Sequence, residues 1–145
     1  MLDSEIGDLI GRKRLLQMQP DSTVAEAATK MVDRHVGAVL VYEDTALRGI
    51  FTERDMLERV VAPNLSPGEV LLKEVMTLDP GSVDSRETLL QAISTMKERM
   101  TRHLLVKRGY EVVGIVSVSD LLRAVLDSSL DDRRLVDDLW EGFPV

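Results

Sequence analysis

Residues 49–55 have the sequence Gly-Ile-Phe-Thr-Glu-Arg-Asp, and residues 114–120 have the related sequence Gly-Ile-Val-Ser-Val-Ser-Asp. Both follow one pattern: glycine, two apolar residues, a hydroxyl residue, two variable residues and an aspartate. An apolar run predicts a strand, and a hydroxyl residue followed three positions later by an acid is typical of a helix start. The chain therefore has the same strand-to-helix junction twice, which predicts an internal duplication.

The duplication extends over most of the chain, because the sequence matches itself at a spacing of 65 residues without a gap. Apolar residues at helical spacing predict one amphipathic helix per copy, at 24–32 and at 89–100, and both begin with a capping box. Short apolar runs at 38–42 and 104–106 predict buried strands. Each copy then continues with a second strand (47–51 and 112–116) and a second apolar helix (56–61 and 121–126).

These patterns predict four segments. The first copy, with an N-terminal helical lead-in, occupies residues 1–62, and a linker rich in proline, glycine, asparagine and serine occupies 63–68. The second copy occupies 69–127. Residues 128–145 form an acidic C-terminal tail, in which Leu135, Val136, Leu139 and Trp140 could form the apolar stripe of a helix.

The composition excludes several function classes. With 18 basic and 25 acidic residues, the formal net charge is −7, which argues against a nucleic-acid binder and against docking on anionic membranes. The absence of cysteine excludes disulfides and thiolate metal sites. No apolar stretch approaches the ~20 residues that span a bilayer, and the acidic N-terminus does not resemble a signal peptide. We therefore expect a cytoplasmic protein.

The motif itself has two interpretations. A glycine within a strand often marks a close approach to the backbone, and a helix start favours an anion. A carboxylate one turn into the helix can accept two hydrogen bonds from a vicinal diol such as a ribose. However, the same residues are a standard N-cap pattern with a purely structural role. The sequence leaves both interpretations open, and the two roles are compatible.

Two such motifs in register with a repeat of the whole chain resemble a tandem pair of cystathionine-β-synthase (CBS) domains, known as a Bateman module. The resemblance covers roughly residues 6–127, and Val75-Met76-Thr77 and 102–106 are also typical of the family. It implies an α+β fold of two βαββα-type repeats packed through their sheets with pseudo-twofold symmetry.

The resemblance also implies a ligand. In ligand-binding members, clefts between the repeats hold an adenosine derivative such as AMP, ADP, ATP or S-adenosylmethionine, with Mg²⁺ expected only alongside ATP. Carried over by position, one cleft would combine Ser117, Ser119, Asp120, Gly11, Leu16, Val36, Gly37 and Ala38. The other would combine Thr52, Arg54, Asp55, Met76, Thr77, Gly81, Val83 and Arg102.

The two copies differ where the ligand would lie. Arg102 and His103 stand where family members often have phosphate-binding cations, and Arg12-Lys13-Arg14 is a second basic cluster. The first copy has Arg54 where the second has Ser119, and Gly11-Arg12 aligns with Met76-Thr77. The two clefts are therefore not expected to be equivalent.

No catalytic constellation is evident. The chain shows no serine–histidine–acid set, no paired catalytic carboxylates and no Walker-type loop, and His35, which we expect at a helix end, lacks neighbouring metal ligands. We expect a non-catalytic sensor with no catalytic cofactor and no metal, forming a homodimer through 56–61 and 121–126 and acting on an unidentified partner protein. The main alternative is a structural or adaptor dimer with empty clefts. Nucleotide hydrolysis or association with nucleic acid is a further alternative, against which the acidic charge counts.

Overall fold

The computed structural model describes residues 2–10 and 15–127 and the single positions 134, 137 and 141. It divides into two compact units. One, the first-motif unit, comprises Arg14–Pro80 and carries the first of the two motifs. The other, the second-motif unit, comprises Met1–Lys13 with Gly81–Val145 and carries the second motif.

The described elements alternate between short strands and helices. In chain order they are α1 (Ile6–Leu9), β1 (Gln17–Met18), α2 (Val24–Arg34), β2 (Ala38–Glu43), β3 (Ala46–Thr52), α3 (Glu53–Met56), a π-helical segment (Leu57–Val61), α4 (Leu72–Val75), β4 (Ser82–Asp84), α5 (Leu89–Arg99), β5 (His103–Arg108), β6 (Glu111–Ser117) and α6 (Val118–Leu126). No helix within the described ranges is long and apolar enough to cross a membrane.

The two units have the same sheet. Each contains three strands, in the order β1-β2-β3 or β4-β5-β6. The first strand pairs in parallel with the second, and the second pairs antiparallel with the third. Both hairpins carry a register shift at the matching place, after Val41 and after Val106. The predicted α+β class, with two repeats of one small sheet, is confirmed.

The predicted capping boxes start the long helices. The Thr23 hydroxyl accepts the N–H of Glu26 at 3.1 Å, and the Glu26 carboxylate accepts the N–H of Thr23 at 3.1 Å. Thr88 begins α5 in the same way. The helices also end alike: the residue after each, His35 or Met100, is left-handed, with φ of 55° or 52°. His35 is exposed at this helix end, as expected.

Each unit has its own hydrophobic core. In the first-motif unit, α2 places Val24, Ala27 and Met31 against β2, β3 and the fully buried Phe51. In the second-motif unit, α5 packs against β5, β6 and α6 through residues that include Leu89, Ala92, Ile93, Met96, Leu104, Val106 and Leu121. The apolar periodicity of the sequence therefore identified the buried faces of α2 and α5.

The compact units differ from the sequence copies in their leading segments. Helix α1 lies at the start of the first copy, yet Ile6 is fully buried in the core of the second-motif unit. Helix α4 lies at the start of the second copy, yet Leu72 is fully buried in the core of the first-motif unit. Each leading helix thus belongs to the unit of the other copy's motif. The predicted tail falls almost entirely outside the described residues, and so do Leu135, Val136, Leu139 and Trp140.

The leading helices correct the ungapped alignment. The N–H of Ile6 donates to the carbonyl of Glu87 at 2.8 Å, and the N–H of Leu72 donates to the carbonyl of Ser22 at 2.9 Å. The donors are 66 residues apart while the acceptors are 65 apart.

The lead-in is therefore shifted by one position relative to the sheet. By this register Ile10 corresponds to Met76, and Gly11 corresponds to Thr77. The alignment of Gly11 with Met76 was wrong, because four-residue helices carry too little periodicity to reveal a slip of one residue.

The helix after the first motif is also not the regular α-helix that the apolar spacing predicts. Helix α3 ends at Met56 and continues as the π-helical segment, in which the N–H of Ala62 donates to the carbonyl of Leu57 at 2.9 Å. Its counterpart α6 is α-helical throughout its nine residues. Single π turns are uncommon and need compensating contacts.

The motif glycines are explained by the chain itself. Thr77 forms a two-hydrogen-bond bridge with Ile50, at 3.0 Å and 2.8 Å, so its backbone lies directly over β3. A Cβ on Gly49 would lie 2.5 Å from the Thr77 carbonyl oxygen. A Cβ on Gly114 would lie 2.5 Å from the Cδ1 of Ile10. The close approach predicted from these glycines is confirmed, and the approaching group is the segment after each leading helix.

Replacing these glycines by alanine therefore has graded effects. We expect Gly49→Ala to lower the free energy of unfolding by about 1–3 kcal/mol, because a backbone carbonyl must move. Gly114→Ala should cost less, since the end of the Ile10 side chain can rotate away. Gly68→Ala is the control, as no atom lies within 4 Å of its Cβ position. Urea denaturation measures all three, and equal stability of the Gly49→Ala and Gly68→Ala variants would contradict this account.

Candidate functional site

The first motif turn is a closed capping box at the end of β3. The Thr52 hydroxyl accepts the N–H of Asp55 at 3.2 Å, and the Asp55 carboxylate accepts the N–H of Thr52 at 3.0 Å. Asp55 is buried, with 7% of its surface exposed. Burial of a carboxylate is costly unless hydrogen bonds satisfy it, so its other partners matter.

The second motif turn repeats this geometry at the end of β6. The Ser117 hydroxyl accepts the N–H of Asp120 at 3.2 Å, and the Asp120 carboxylate accepts the N–H of Ser117 at 2.9 Å. The structural interpretation of both motifs is therefore confirmed. It does not exclude a ligand, because each carboxylate has two oxygens with two lone pairs apiece.

Thr77 supplies a further contact to Asp55. Its hydroxyl lies 3.1 Å from Oδ1 and 3.3 Å from Oδ2 of the Asp55 carboxylate. Thr52, Asp55 and Thr77 were predicted to share a site, and the structure brings these three side chains together. The bridge between Thr77 and Ile50 holds the hydroxyl in this position.

Arg59 also belongs to this cluster and was missed in the sequence. Its Nη1 lies 3.9 Å from Asp55 Oδ1 and donates to the carbonyls of Val75 and Met76, each at 2.9 Å. The spacing of four residues from Asp55 was a usable signal, because side chains four apart share a helix face. These contacts also supply the compensation that the π-helical segment requires.

The segment before β2 lies beside the first motif turn. The carbonyl of Gly37 accepts the N–H of Glu53 at 3.1 Å, and Ala38 is the register partner of Thr52. The Glu53 carboxylate lies over Gly37, 3.3 Å from where a Cβ would be. Val36, Gly37 and Ala38 therefore surround Thr52 within the first-motif unit.

The corresponding segment of the second-motif unit is cationic. The carbonyl of Arg102 accepts the N–H of Val118 at 2.9 Å, and His103 is the register partner of Ser117. Arg102 and His103 are half-buried, and Ser119 is exposed at the start of α6. The structure thus brings Arg102, His103 and the Ser117–Asp120 turn together in one unit.

The two turns differ in charge. The helical residues after the first motif include Glu53, Arg54, Asp55, Glu58 and Arg59, whereas their counterparts are Val118, Ser119, Asp120, Arg123 and Ala124. Arg54 is further neutralised by an ion pair with Glu58, with Nε 2.8 Å from Oε1. An anionic group is therefore favoured beside the second turn and disfavoured beside the first.

The remaining predicted site residues are mostly structural within their units. The side chains of Leu16 and Val83 lie in the two cores. The carbonyls of Leu16 and Gly81 accept the N–H groups of Leu40 and Leu105, each at 2.9 Å. Met76 packs against Gly49. Gly11 and the basic cluster Arg12-Lys13-Arg14 lie outside the described residues.

Two exposed ion pairs lie away from the motif turns. A hydrogen bond to Asp21, with Nζ 2.8 Å from Oδ1, raises the pKa of Lys73. Hydrogen bonds from the backbone and side chain of Arg86 lower the pKa of Asp84. Solvent screens both pairs, so each contributes little to stability. Among the described residues, no group of three or more histidine and acidic side chains is arranged to hold a metal ion.

Comparison with known protein families identifies the repeated unit. The model of the CBS domain matches residues 6–62 and again residues 72–127. The CBS domain-containing protein CBSCBSPB1 of Arabidopsis thaliana is 38% identical over 115 residues, which are 78% of this chain. They are only 21% of that relative, so the chain spans about a fifth of its length.

Solved structures share the fold. An uncharacterized conserved protein from Pyrococcus horikoshii has a TM-score of 0.79 and 29% identity, covering 86% of this chain and 93% of its own. A CBS domain protein from Pyrobaculum aerophilum, solved in complex with AMP, has a TM-score of 0.71 and 21% identity. That likeness covers 86% of this chain and all of the other one.

The capping role of the two hydroxyls can be measured directly. We expect Thr52→Ala and Ser117→Ala each to lower the free energy of unfolding by about 1 kcal/mol, because each leaves a helix-start N–H without its acceptor. Thr45→Ala, at an exposed turn position, should change it by less than about 0.5 kcal/mol. If chemical denaturation gave all three variants the same stability, the caps would not contribute.

Proposed function

The chain belongs to the CBS-domain family, as a tandem pair, and from this we propose that it is a non-catalytic regulatory module for an adenosine-containing ligand. The resemblance predicted from the two motifs is thereby confirmed. We further propose that AMP, ADP, ATP or S-adenosylmethionine binds at a motif turn, and that occupancy is passed on to a separate partner protein. The observation that carries this proposal is the grouping of Arg102 and His103 with the Ser117–Asp120 turn.

The chemistry of this group suits a nucleotide. The Asp120 carboxylate can accept hydrogen bonds from a ribose diol, and such charge-assisted bonds are worth roughly 1.5–3 kcal/mol each. The Arg102 guanidinium can bind a phosphate in a bidentate manner. The AMP complex of the Pyrobaculum aerophilum protein supports adenine nucleotides as the ligand class. With 3% aromatic residues in the chain, the adenine would rest on aliphatic side chains.

The second motif turn is the better candidate of the two. It lacks the acidic Glu53 and Glu58 of the first turn, where Val118 and Arg123 stand instead. A nucleotide phosphate would therefore meet attraction at the second turn and repulsion at the first. We propose that Asp120, with Ser117 and Ser119, forms the principal ligand-binding turn.

Isothermal titration calorimetry with AMP, ADP, Mg²⁺–ATP and S-adenosylmethionine tests this proposal. We expect at least one of them to bind with micromolar affinity, and Asp120→Asn to weaken that binding tenfold or more, about 1.4 kcal/mol. Asparagine retains an acceptor for the Ser117 N–H, so the helix cap survives. The matched control is Asp127→Asn, which removes the same charge at the far end of α6 and should leave the affinity unchanged. Equal affinities of the two variants would contradict a role for Asp120.

We also propose a homodimer formed through the helices that follow the motifs. Leu57 and Val61 expose 61% and 58% of their surface, and the equivalent Leu122 and Leu126 expose 41% and 65%. Both copies thus present two large apolar side chains four residues apart at the same place. Side chains of this kind gain by burial against another protein surface.

Light scattering coupled to gel filtration tests the dimer. We expect the wild type to have twice the mass of the chain, and Leu122→Lys with Leu126→Lys to shift it to the monomer mass. Tyr110→Lys is the control, because Tyr110 is fully exposed at a hairpin turn of the same unit. A wild-type protein of monomer mass would contradict the proposal.

The second candidate function is a structural or adaptor module whose motifs act only as caps. The capping boxes at Thr52 and Ser117 favour it, because they account for both hydroxyls without a ligand. It predicts no heat of binding with any of the four ligands, and an Asp120→Asn variant that only melts earlier.

A further inference from the structure

We infer that Thr77 and Arg59 form a latch that keeps Asp55 closed to ligand, so that the two motif aspartates have different roles. The latch is the cluster of Thr77, Arg59 and Asp55 in the first-motif unit. This inference rests on the proposed function, because it concerns which of the two turns accepts the adenosine ligand.

The carboxylate oxygens of Asp55 are already engaged. Oδ2 accepts the N–H of Thr52 at 3.0 Å and lies 3.3 Å from the Thr77 hydroxyl. Oδ1 accepts the Thr77 hydroxyl at 3.1 Å and lies 3.9 Å from the Arg59 guanidinium. Since the residue is only 7% exposed, a ribose diol would have to displace the Thr77 hydroxyl to bind.

Thr77 is itself difficult to displace. Two backbone hydrogen bonds, at 3.0 Å and 2.8 Å, join it to Ile50 in β3. Arg59 donates to the carbonyls of the two preceding residues, Val75 and Met76. Moving the hydroxyl away from Asp55 would therefore strain or break several hydrogen bonds together, and groups linked in this way are energetically coupled.

The second-motif unit does not have the side chains for this latch. Ala124 stands 65 residues after Arg59 and carries no guanidinium. By the register of the leading helices, Gly11 stands where Thr77 does, and glycine carries no hydroxyl. Whatever else contacts Asp120, neither of these two groups has a counterpart there. The latch is thus specific to the first motif.

The ligand arm of the test uses AMP and an Asp120→Asn background, in which the second turn is impaired. We expect this chain to bind AMP weakly. Adding Thr77→Val and Arg59→Ala should raise the AMP affinity at least tenfold by calorimetry, and a further Asp55→Asn should abolish the gain. Arg48→Ala in place of Arg59→Ala is the matched control, because Arg48 pairs only with the exposed Glu43.

Two results of this arm would overturn the latch. One is an Asp120→Asn chain, with the latch intact, that binds AMP as tightly as the wild type. The other is a folded Thr77→Val, Arg59→Ala chain that gains no affinity. Thr77→Val alone, which preserves the shape of the side chain, replaces the double change if circular dichroism shows that the latter is unfolded.

The second arm needs no ligand. A double-mutant cycle of Asp55→Ala and Thr77→Val, followed by urea denaturation, measures the coupling between the two side chains. We expect a coupling of about tenfold in the unfolding equilibrium constant, about 1.4 kcal/mol. Additive effects would overturn the latch. If the wild type bound no AMP, the proposed function would fail, and this cycle would still decide whether the latch exists.

Discussion

The backbone bridge between Ile50 and Thr77 is the contact on which the first motif turn depends. It requires a glycine at position 49, because any side chain there would meet the Thr77 carbonyl. It also brings the Thr77 hydroxyl to the buried carboxylate of Asp55. A glycine that the sequence alone would associate with a ligand thus serves an internal contact, and that contact determines what the aspartate can do.

Duplication has preserved the backbone of this protein and changed its electrostatics. The elements α2, β2 and β3 recur as α5, β5 and β6 with the same lengths. The side chains around the two motif turns diverge instead, as in the replacement of Glu53 by Val118 and of Arg59 by Ala124. A fold held by buried apolar side chains tolerates such changes at exposed positions, so the two copies can acquire different ligand chemistry without a loss of stability.

What could be predicted from the sequence was local. The amphipathic helices, the four capping boxes and the close approach at Gly49 follow from spacings of a few residues. The one-residue slip of the leading helices could not be predicted, because it depends on backbone pairing with distant residues such as Ser22 and Glu87. The π-helical segment escaped for the same reason: Leu57, Val60 and Val61 fit an α-helix equally well, and only Arg59 reaching Val75 and Met76 distinguishes the two. Of the candidate site, the residues of each turn were identified by spacing, whereas the role of Arg59 needed the tertiary structure.

The assignment of each leading helix to the unit of the other copy has a consequence for the gene. A fragment ending in the linker at residue 62 would keep Ile6, which fills the core of the second-motif unit, and would lose Leu72, which fills its own. Half of the coding sequence therefore does not encode half of the folded protein. The two copies can be duplicated, transferred or recombined into new proteins as a pair, whereas a break between them leaves two chains that each lack part of a core.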